Sequence, residues 1–287
     1  MEGAPQRRTR VPRWARRVLS FLAILALLVA VWEGYKVIAK GLDTVWPVRP
    51  DNKSMPHVWD IVGELFEARR AGDDILLVLL TKEALYTFRE AAVGFVIGAG
   101  FGFWLAVVFE RYALLERSLM PYVIISQTIP LVAIAPIIVV WGGRYDWPTW
   151  IPAAIIAAYL SFFPVTINTL RGLRSPAPTS MELMRSYAAT TNETLWKVQV
   201  PAALPYIFTA LKVAATASVI GAIVGELPSS LDRGLGRALL TFTYTFISAP
   251  EKLFAAVMVS ALLGIVFVSL VTYGERLALS SSRRLVE

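Results

Sequence analysis

Thr179–Pro205 reads TSMELMRSYAATTNETLWKVQVPAALP, a polar interruption in a chain whose other long stretches are apolar enough for a lipid bilayer. Thr179 followed by Glu182 has the spacing of a capping box, which satisfies two orphan N–H groups at a helix start. Met181, Met184, Tyr187 and Ala188 then predict one short apolar face, with Arg185 and Ser186 off it. Thr191-Asn192 offers a second cap, and Leu195, Trp196 and Val198 give a second short apolar run before Pro201. The expectation is a helix–turn–helix of two short amphipathic pieces, after which Pro201 and Pro205 restart the chain as a membrane helix. Such a unit cannot bury its apolar side alone. It either rests on a membrane surface or docks into a partner.

Composition sets the setting of this turn. The 287 residues are 56% hydrophobic and 17% charged, with a mean hydropathy of +0.58. That is too apolar for a soluble domain of this size, and an all-α polytopic membrane protein is expected. Cysteine is absent, which excludes disulfides and thiolate metal sites. The single histidine, His57, is expected as a solvated loop residue, so no metal site is anticipated. The net charge of +7 is concentrated where Arg7, Arg8, Arg10, Arg13, Arg16 and Arg17 precede an apolar run. That is a flank held by anionic lipid, and no aromatic-interleaved basic module points to nucleic acid.

Along the chain, residues 1–17 form a basic N-terminal tail and 18–39 the first span. This run is longer than a signal-peptide core and lacks a small-x-small cleavage site, so it reads as a retained helix. Glu33 and Lys36 are expected at its interface, with Lys36 snorkelling outward. Residues 40–84 form an extracytoplasmic segment, extended at Pro47, Pro50 and Pro56. An amphipathic helix from Trp59 to Arg70 is predicted there, laying Trp59, Val62, Leu65 and Phe66 on the membrane.

The membrane core runs over 85–273. In its first helix, Leu85 to Phe109, Gly94, Gly98 and Gly102 fall four apart and predict close helix–helix approach. The third span, Pro121 to Trp141, carries Ser126, Gln127 and Thr128 just before Pro130. Polar groups at that depth either line a wet path or hydrogen-bond between helices. Trp150 to Leu170 follows with Tyr159, Ser161 and Asn168, closed by Arg171 and Arg174, and the polar loop occupies 171–205. The fifth span, Tyr206 to Leu227, contains Lys212, read as snorkelling, and ends at Glu226. Glu226 either touches substrate or pins the loop Pro228–Gly236. The sixth span is Leu253 to Tyr273, followed by the tail 274–287. Six spans put both termini on one side, and the N-terminal arginines assign that side, with the central loop, to the cytoplasm. Arg49, Lys53, Arg69 and Arg70 then fall outside, and Arg276, Arg283 and Arg284 inside.

Glu182, Ala188, Val198 and Pro201 stand at the spacing of the EAA loop of ABC importer permeases: EAA, then Gly, then Ile-x-Leu-Pro. The stretch VQVPAALPYIFTALKVAA (198–215) resembles the nitrate/sulfonate/taurine branch and its relatives that import riboflavin or thiamine-pyrimidine precursors. The resemblance covers essentially the whole chain. It departs at Leu183-Met184, which replaces Ala-Ala, and at Ala188, which replaces Gly and is expected to blunt the turn.

The resemblance implies the type I ABC importer permease fold, with six transmembrane helices in the prokaryotic cytoplasmic membrane. It implies coupling to a cytoplasmic ABC ATPase subunit through Glu182, Met184, Arg185, Tyr187, Ala188, Val198 and Pro201. In that picture Met181, Met184 and Tyr187 are the apolar knobs. ATP is used by the partner subunit, and no cofactor is bound by this chain. An extracytoplasmic substrate-binding protein and a second permease copy, identical or not, complete the assembly. Ser126, Gln127, Thr128, Tyr159, Ser161, Asn168 and Glu226 are the expected translocation-path residues. Arg89 resembles the arginine that precedes Gly-Phe in the family's second span, here Gly94-Phe95, and reads as an ion-pair or headgroup contact. Gly225-Glu226-Leu227-Pro228 followed by Gly234-Leu235-Gly236 resembles the vitamin-importing branch. A small heterocycle is therefore expected as cargo, riboflavin ahead of a pyrimidine precursor, with sulfonates, taurine or nitrate as the alternative.

No G-x-x-x-x-G-K-[ST] loop, nucleophile–base pair or carboxylate dyad is evident, so the chain does not read as an enzyme. Two other classes stay open: a non-transporting scaffold that binds a cytoplasmic protein, and an ion-driven transporter. The latter would want paired intramembrane carboxylates or an inverted repeat.

Overall fold

The computed structural model describes residues 13–42, 48–67, 74–228 and 233–283. Arg7, Arg8 and Arg10 of the basic tail, Arg69 and Arg70, and Arg284 lie outside the described residues. The helices, in order, are α1 (Arg13–Gly41), α2 (Val58–Glu64), α3 (Leu76–Arg111), α4 (Ala113–Ser126), α5 (Leu131–Arg144) and α6 (Ile151–Leu173). There follow α7 (Pro178–Ser186), α8 (Thr191–Thr194), a π-helical turn (Leu195–Gln199), α9 (Val200–Glu226), α10 (Leu235–Tyr244) and α11 (Pro250–Arg283). Among the described residues five runs are long and apolar enough to cross a bilayer, in α1, α3, α6, Thr191–Glu226 and α11. The sixth is a pair, α4 and α5, bent by 94°. At 36 residues α3 is about 54 Å long, well beyond a hydrocarbon core of about 30 Å. It starts at Leu76 rather than Leu85, because the apolar run Ile75–Leu80 joins the span.

The heart of the bundle is α6, sandwiched between α3 and α9. The three α3 glycines make this possible. A Cβ on Gly94 would sit 2.5 Å from the Ala154 carbonyl oxygen, and one on Gly102 the same distance from that of Phe162. Across α6, Cβ atoms on Gly221 and Gly225 would lie 2.7 Å from the Cα atoms of Ala157 and Ala153. Helices in lipid associate by such van der Waals contact, since lipid tails are as apolar as leucine. Gly100, on the other side of α3, meets nothing within 4 Å. The α11 helix covers α3 and α9, with Phe267 edge-on to Phe88 and Phe95.

α1 stands apart and joins the rest through its C-terminal half. Trp32 Nε1 donates to the Pro56 carbonyl at 3.0 Å, and Tyr35 Oη donates to that of Val48 at 2.7 Å. His57 is not the solvated loop residue expected: its Nδ1 lies 2.6 Å from Glu33 Oε2 and its ring stacks on Trp59. Lys36 does not snorkel either, being 1% exposed. The helix predicted from Trp59 ends at Glu64, and it buries Ile61 and Leu65 while Trp59, Val62 and Phe66 stay exposed. Lys212 is paired with Glu275 of α11 at 2.6 Å.

The third span breaks where the sequence predicts one proline-bearing helix. Pro130 has no N–H to donate and takes an extended ψ of 118°, so α5 starts afresh after it. Hydroxyls take up the loosened carbonyls. Ser126 Oγ donates to Val123 O at 2.7 Å, Thr128 Oγ1 to Ile125 O at 2.8 Å, and Tyr159 Oη to Ser126 O.

The central turn differs from its expected form in three ways. Pro178 sits in the first turn of α7 behind the N-cap Ala177, and the Thr179–Glu182 box does not form. The capping box is one residue earlier in the second piece than Thr191-Asn192 suggested. Thr190 Oγ1 accepts from Glu193 N at 3.3 Å, and Thr190 N donates to Glu193 Oε2 at 2.9 Å. That piece is not a separate short helix, because α8 runs through the π turn into α9. The wide turn immediately precedes Pro201, whose ring crowds the carbonyl four residues back and forces the coil open. Ala188 does not blunt the bend: it adopts φ +50°, the left-handed conformation that glycine would supply.

Two predictions follow from this backbone. Gly98→Leu should destabilise the folded chain by ~1–3 kcal/mol or more, since its Cβ would meet the Ala158 carbonyl, whereas Gly100→Ala should not. Thermal midpoints in one detergent compare the pair directly. Ala188→Gly should relieve roughly 1 kcal/mol of left-handed strain. Slower amide exchange at the Ala188–Thr190 turn would report it.

Candidate functional site

α7 lies across the end of the bundle where α3 stops, α6 ends and α9 begins. On it, Glu182, Leu183, Arg185 and Tyr187 are exposed, with Leu183 at 53% and Tyr187 at 74%. Met181 and Met184 are half-buried, and Met181 lines a cleft of about 310 Å³ between the turn and the end of α3. The exposed apolar residues of α7 are therefore Leu183 and Tyr187, one helical turn apart, with Met181 and Met184 half-buried. Leu183 was missed in the sequence because it stood in the slot of a small residue. The i, i+4 spacing to Tyr187 carried the signal. Trp196, also 57% exposed, adds apolar surface beside Lys197. Ala188 is exposed at the bend, Val198 is half-buried and Pro201 is exposed at the start of α9.

Behind α7 a polar clamp ties the two flanks of the turn to α3 and α4. Arg174, just past α6, donates through Nε to Glu110 Oε2 of α3 at 2.8 Å. Its two terminal nitrogens hold both oxygens of Glu116 on α4, at 2.8 and 2.6 Å. The Glu116 fork, and Glu110 after it, hold the guanidinium proton more tightly than in an ordinary arginine. Gln199 of the π turn donates to the other Glu110 oxygen at 2.8 Å, and Arg111 donates to Asn192 Oδ1 at 2.8 Å. Glu110 thus accepts from both sides of the turn. A displacement of the segments that flank α7 therefore pulls on the end of α3, and through Arg174 on α4.

The residues expected along the path divide into two groups. Ser126, Gln127 and Thr128 lie at the α4–α5 break, half-buried to exposed, and Tyr159 bonds that break from α6. Asn168 is half-buried, its amide donating to Pro164 O at 2.9 Å. Ser161 is fully buried and bridges helices, with Ala157 O at 2.7 Å and Ala214 O of α9 at 3.2 Å. Glu226 is fully buried too. Its Oε1 accepts from Thr87 Oγ1 and its Oε2 from Gly236 N, each at 2.6 Å. Of the two roles open to it in the sequence, this geometry is that of a pin on the loop leading into α10. Arg89 makes no ion pair among the described residues; its guanidinium lies 5.1 Å from the Trp150 ring centre.

Comparison with known proteins adds an independent line. Residues 98–278 match the family model described as binding-protein-dependent transport system inner membrane component. A probable ABC transporter permease of Haemophilus influenzae is 30% identical over 90% of this chain and 93% of its own. The formylaminopyrimidine transport permease ThiX of Halalkalibacterium halodurans is 33% identical over 62% of this chain and 69% of its own. Other relatives are permeases named for aliphatic sulfonates, riboflavin, taurine and nitrate. Among solved structures, an amino acid ABC transporter chain superposes with a TM-score of 0.57 at 18% identity, over 70% of this chain and 94% of that one. This last likeness shows the fold, that of type I ABC permeases. With a family model matched over more than half its length, the chain belongs to the binding-protein-dependent transport inner membrane components, and it is an ABC transport permease rather than an enzyme.

Proposed function

We propose that this chain is the membrane subunit of an ATP-driven importer, with both termini and the α7 turn in the cytoplasm. An ABC ATPase subunit would seat its groove over α7, and a second permease copy would complete a path flanked by the α4–α5 break. A binding protein would deliver cargo at the opposite end. One observation carries the reading: the exposed Leu183–Tyr187 face, flanked by Glu182 and Arg185, sits on a turn whose two flanks Arg174 and Gln199 tie to α3 and α4. An apolar patch with a charged rim is what a docking helix presents. The rigid clamp behind it is what a force-bearing contact needs. A scaffold that only binds would have no use for that clamp.

For cargo we favour a flat vitamin-type heterocycle, a pyrimidine precursor or riboflavin. Support comes from the Gly225–Pro228 stretch and from relatives named for formylaminopyrimidine and riboflavin. The broken, hydroxyl-rich segment Ser126–Thr128 with Tyr159 and Phe162 beside it offers hydrogen bonds and ring faces suited to such a molecule.

Truncating the docking face should separate the complex. Leu183→Ala with Tyr187→Ala should cost ~2 kcal/mol of ATPase binding, about thirtyfold in affinity, read as ATPase retained on the solubilised permease. Transport itself is tested with labelled formylaminopyrimidine, riboflavin and taurine in cells carrying permease, ATPase and binding protein. Uptake of a heterocycle, abolished by Glu182→Arg at unchanged membrane levels, is the expected result. Uptake of taurine alone would overturn the cargo assignment, and uptake indifferent to Glu182→Arg would overturn the coupling.

A further inference from the structure

At the end of the bundle opposite α7, one buried group has no role in the reading above. Glu90 of α3 is 0% exposed, and among the described residues neither of its carboxyl oxygens meets an N–H or O–H donor. Its neighbour is the carboxyl of Glu226, itself 0% exposed. The donors nearby are spoken for. Thr87 Oγ1 donates to Glu226 and accepts from Leu235 N at 2.9 Å; Gly236 N donates to Glu226, and Gly234 N to Glu83. Gly234, at φ +99°, leaves room for the Glu226 carboxyl, which any Cβ there would strike. Among the described residues, the charged groups around the pair lie on α3 and α10. On α3 there are Glu83, satisfied by Gly234, and Arg89, turned to Trp150. On α10, Arg237 shares a shallow outer pocket with Glu83.

Two carboxylates in contact and sealed from water repel strongly, and among the described residues neither Glu90 oxygen has a donor to offset that repulsion. A carboxylic acid against a carboxylate instead forms one short hydrogen bond, which would supply the donor that Glu90 lacks. We propose that Glu90 and Glu226 bind one proton between them, Glu90 donating its O–H to Glu226, and that this proton latches α10 to α3 and α9. The proton comes from water and returns to water, and nothing else is consumed. With it in place, Glu226 keeps the Gly236 and Thr87 bonds and the start of α10 stays docked. Without it, repulsion between the two carboxylates drives α3 and α9 apart where they hold α10. The latch is thus a proton-sensing element at the end where cargo would enter. Its existence does not depend on which cargo is carried.

The test uses the full purified chain in nanodiscs. Infrared spectra at neutral pH should show a protonated-carboxyl C=O band that Glu90→Gln removes. The folded chain holds a proton that the unfolded chain gives up, so the thermal midpoint of the wild type should fall as pH rises above neutral. Glu90→Gln, neutral at every pH, should lose that fall and match the wild type at low pH. Glu90→Met guards against an amide-specific effect and should behave likewise. An infrared band unchanged by Glu90→Gln would overturn the proposal. So would a midpoint falling with pH in parallel in all three chains, or collapse of both neutral variants at every pH. A midpoint that follows sodium concentration and not pH would assign the pair to a metal cation and overturn it equally.

Discussion

Backbone contact between α3, α6 and α9 is the constraint on which the rest of this structure depends. Ala157 is the centre of it, lying against Gly94 on one side and Gly221 on the other. With glycine and alanine on both flanks of α6, main-chain atoms meet with little side chain between them, and no rotamer change can absorb a relative slide. Interiors packed this closely switch between discrete arrangements and do not deform continuously. The three helices consequently behave as one body, and motion has to be found elsewhere.

It is found where prolines loosen the backbone. Among the described residues, the α4–α5 break before Pro130 and the π turn before Pro201 are places where membrane-grade helix loses its regular ladder. The first is serviced by hydroxyls of Ser126, Thr128 and Tyr159, groups that can exchange one carbonyl for another at small cost. The second ends at the clamp residue Gln199. A rigid core bounded by two compliant joints is a mechanical arrangement that a uniformly helical bundle would lack.

The sequence made some of this legible and hid the rest for identifiable reasons. Gly94, Gly98 and Gly102 announced the α3–α6 contact, because a repeat of four on one helix is local information. Five spans and the polar turn were readable from apolar length, as was the fact that Glu226 ends its helix. Errors came where two signals competed within a few residues. Thr179–Glu182 has the letters of a capping box, yet Pro178 occupies the first turn and Ala177 caps it. Thr190–Glu193 is the box that forms. Periodicity put Met181, Met184 and Tyr187 on one face, of which Tyr187 is exposed and the two methionines half-buried, because a period gives a face without saying how much of it is covered. The Glu90–Glu226 pair was invisible for a deeper reason: its members lie on different helices, and only the α3–α9 packing brings them together.

That same packing joins the two ends of the molecule. α3 runs unbroken from Glu83, Thr87 and Glu90 at one end to Glu110 and Arg111 at the other. α9 likewise begins beside Gln199 and ends at Glu226. Both the clamp and the latch therefore bear on the same two helices, which α6 holds in fixed register. An arrangement of this kind admits few independent motions, so a shift that strains the clamp also strains the latch. Coupling between two sites is reciprocal in free energy: a load applied at α7 that loosens α10 implies that the state of α10 alters how readily α7 accepts that load. In the proposed importer, the occupancy of a single buried carboxyl pair would then bias the response of the permease to its ATPase, with no contact between the two.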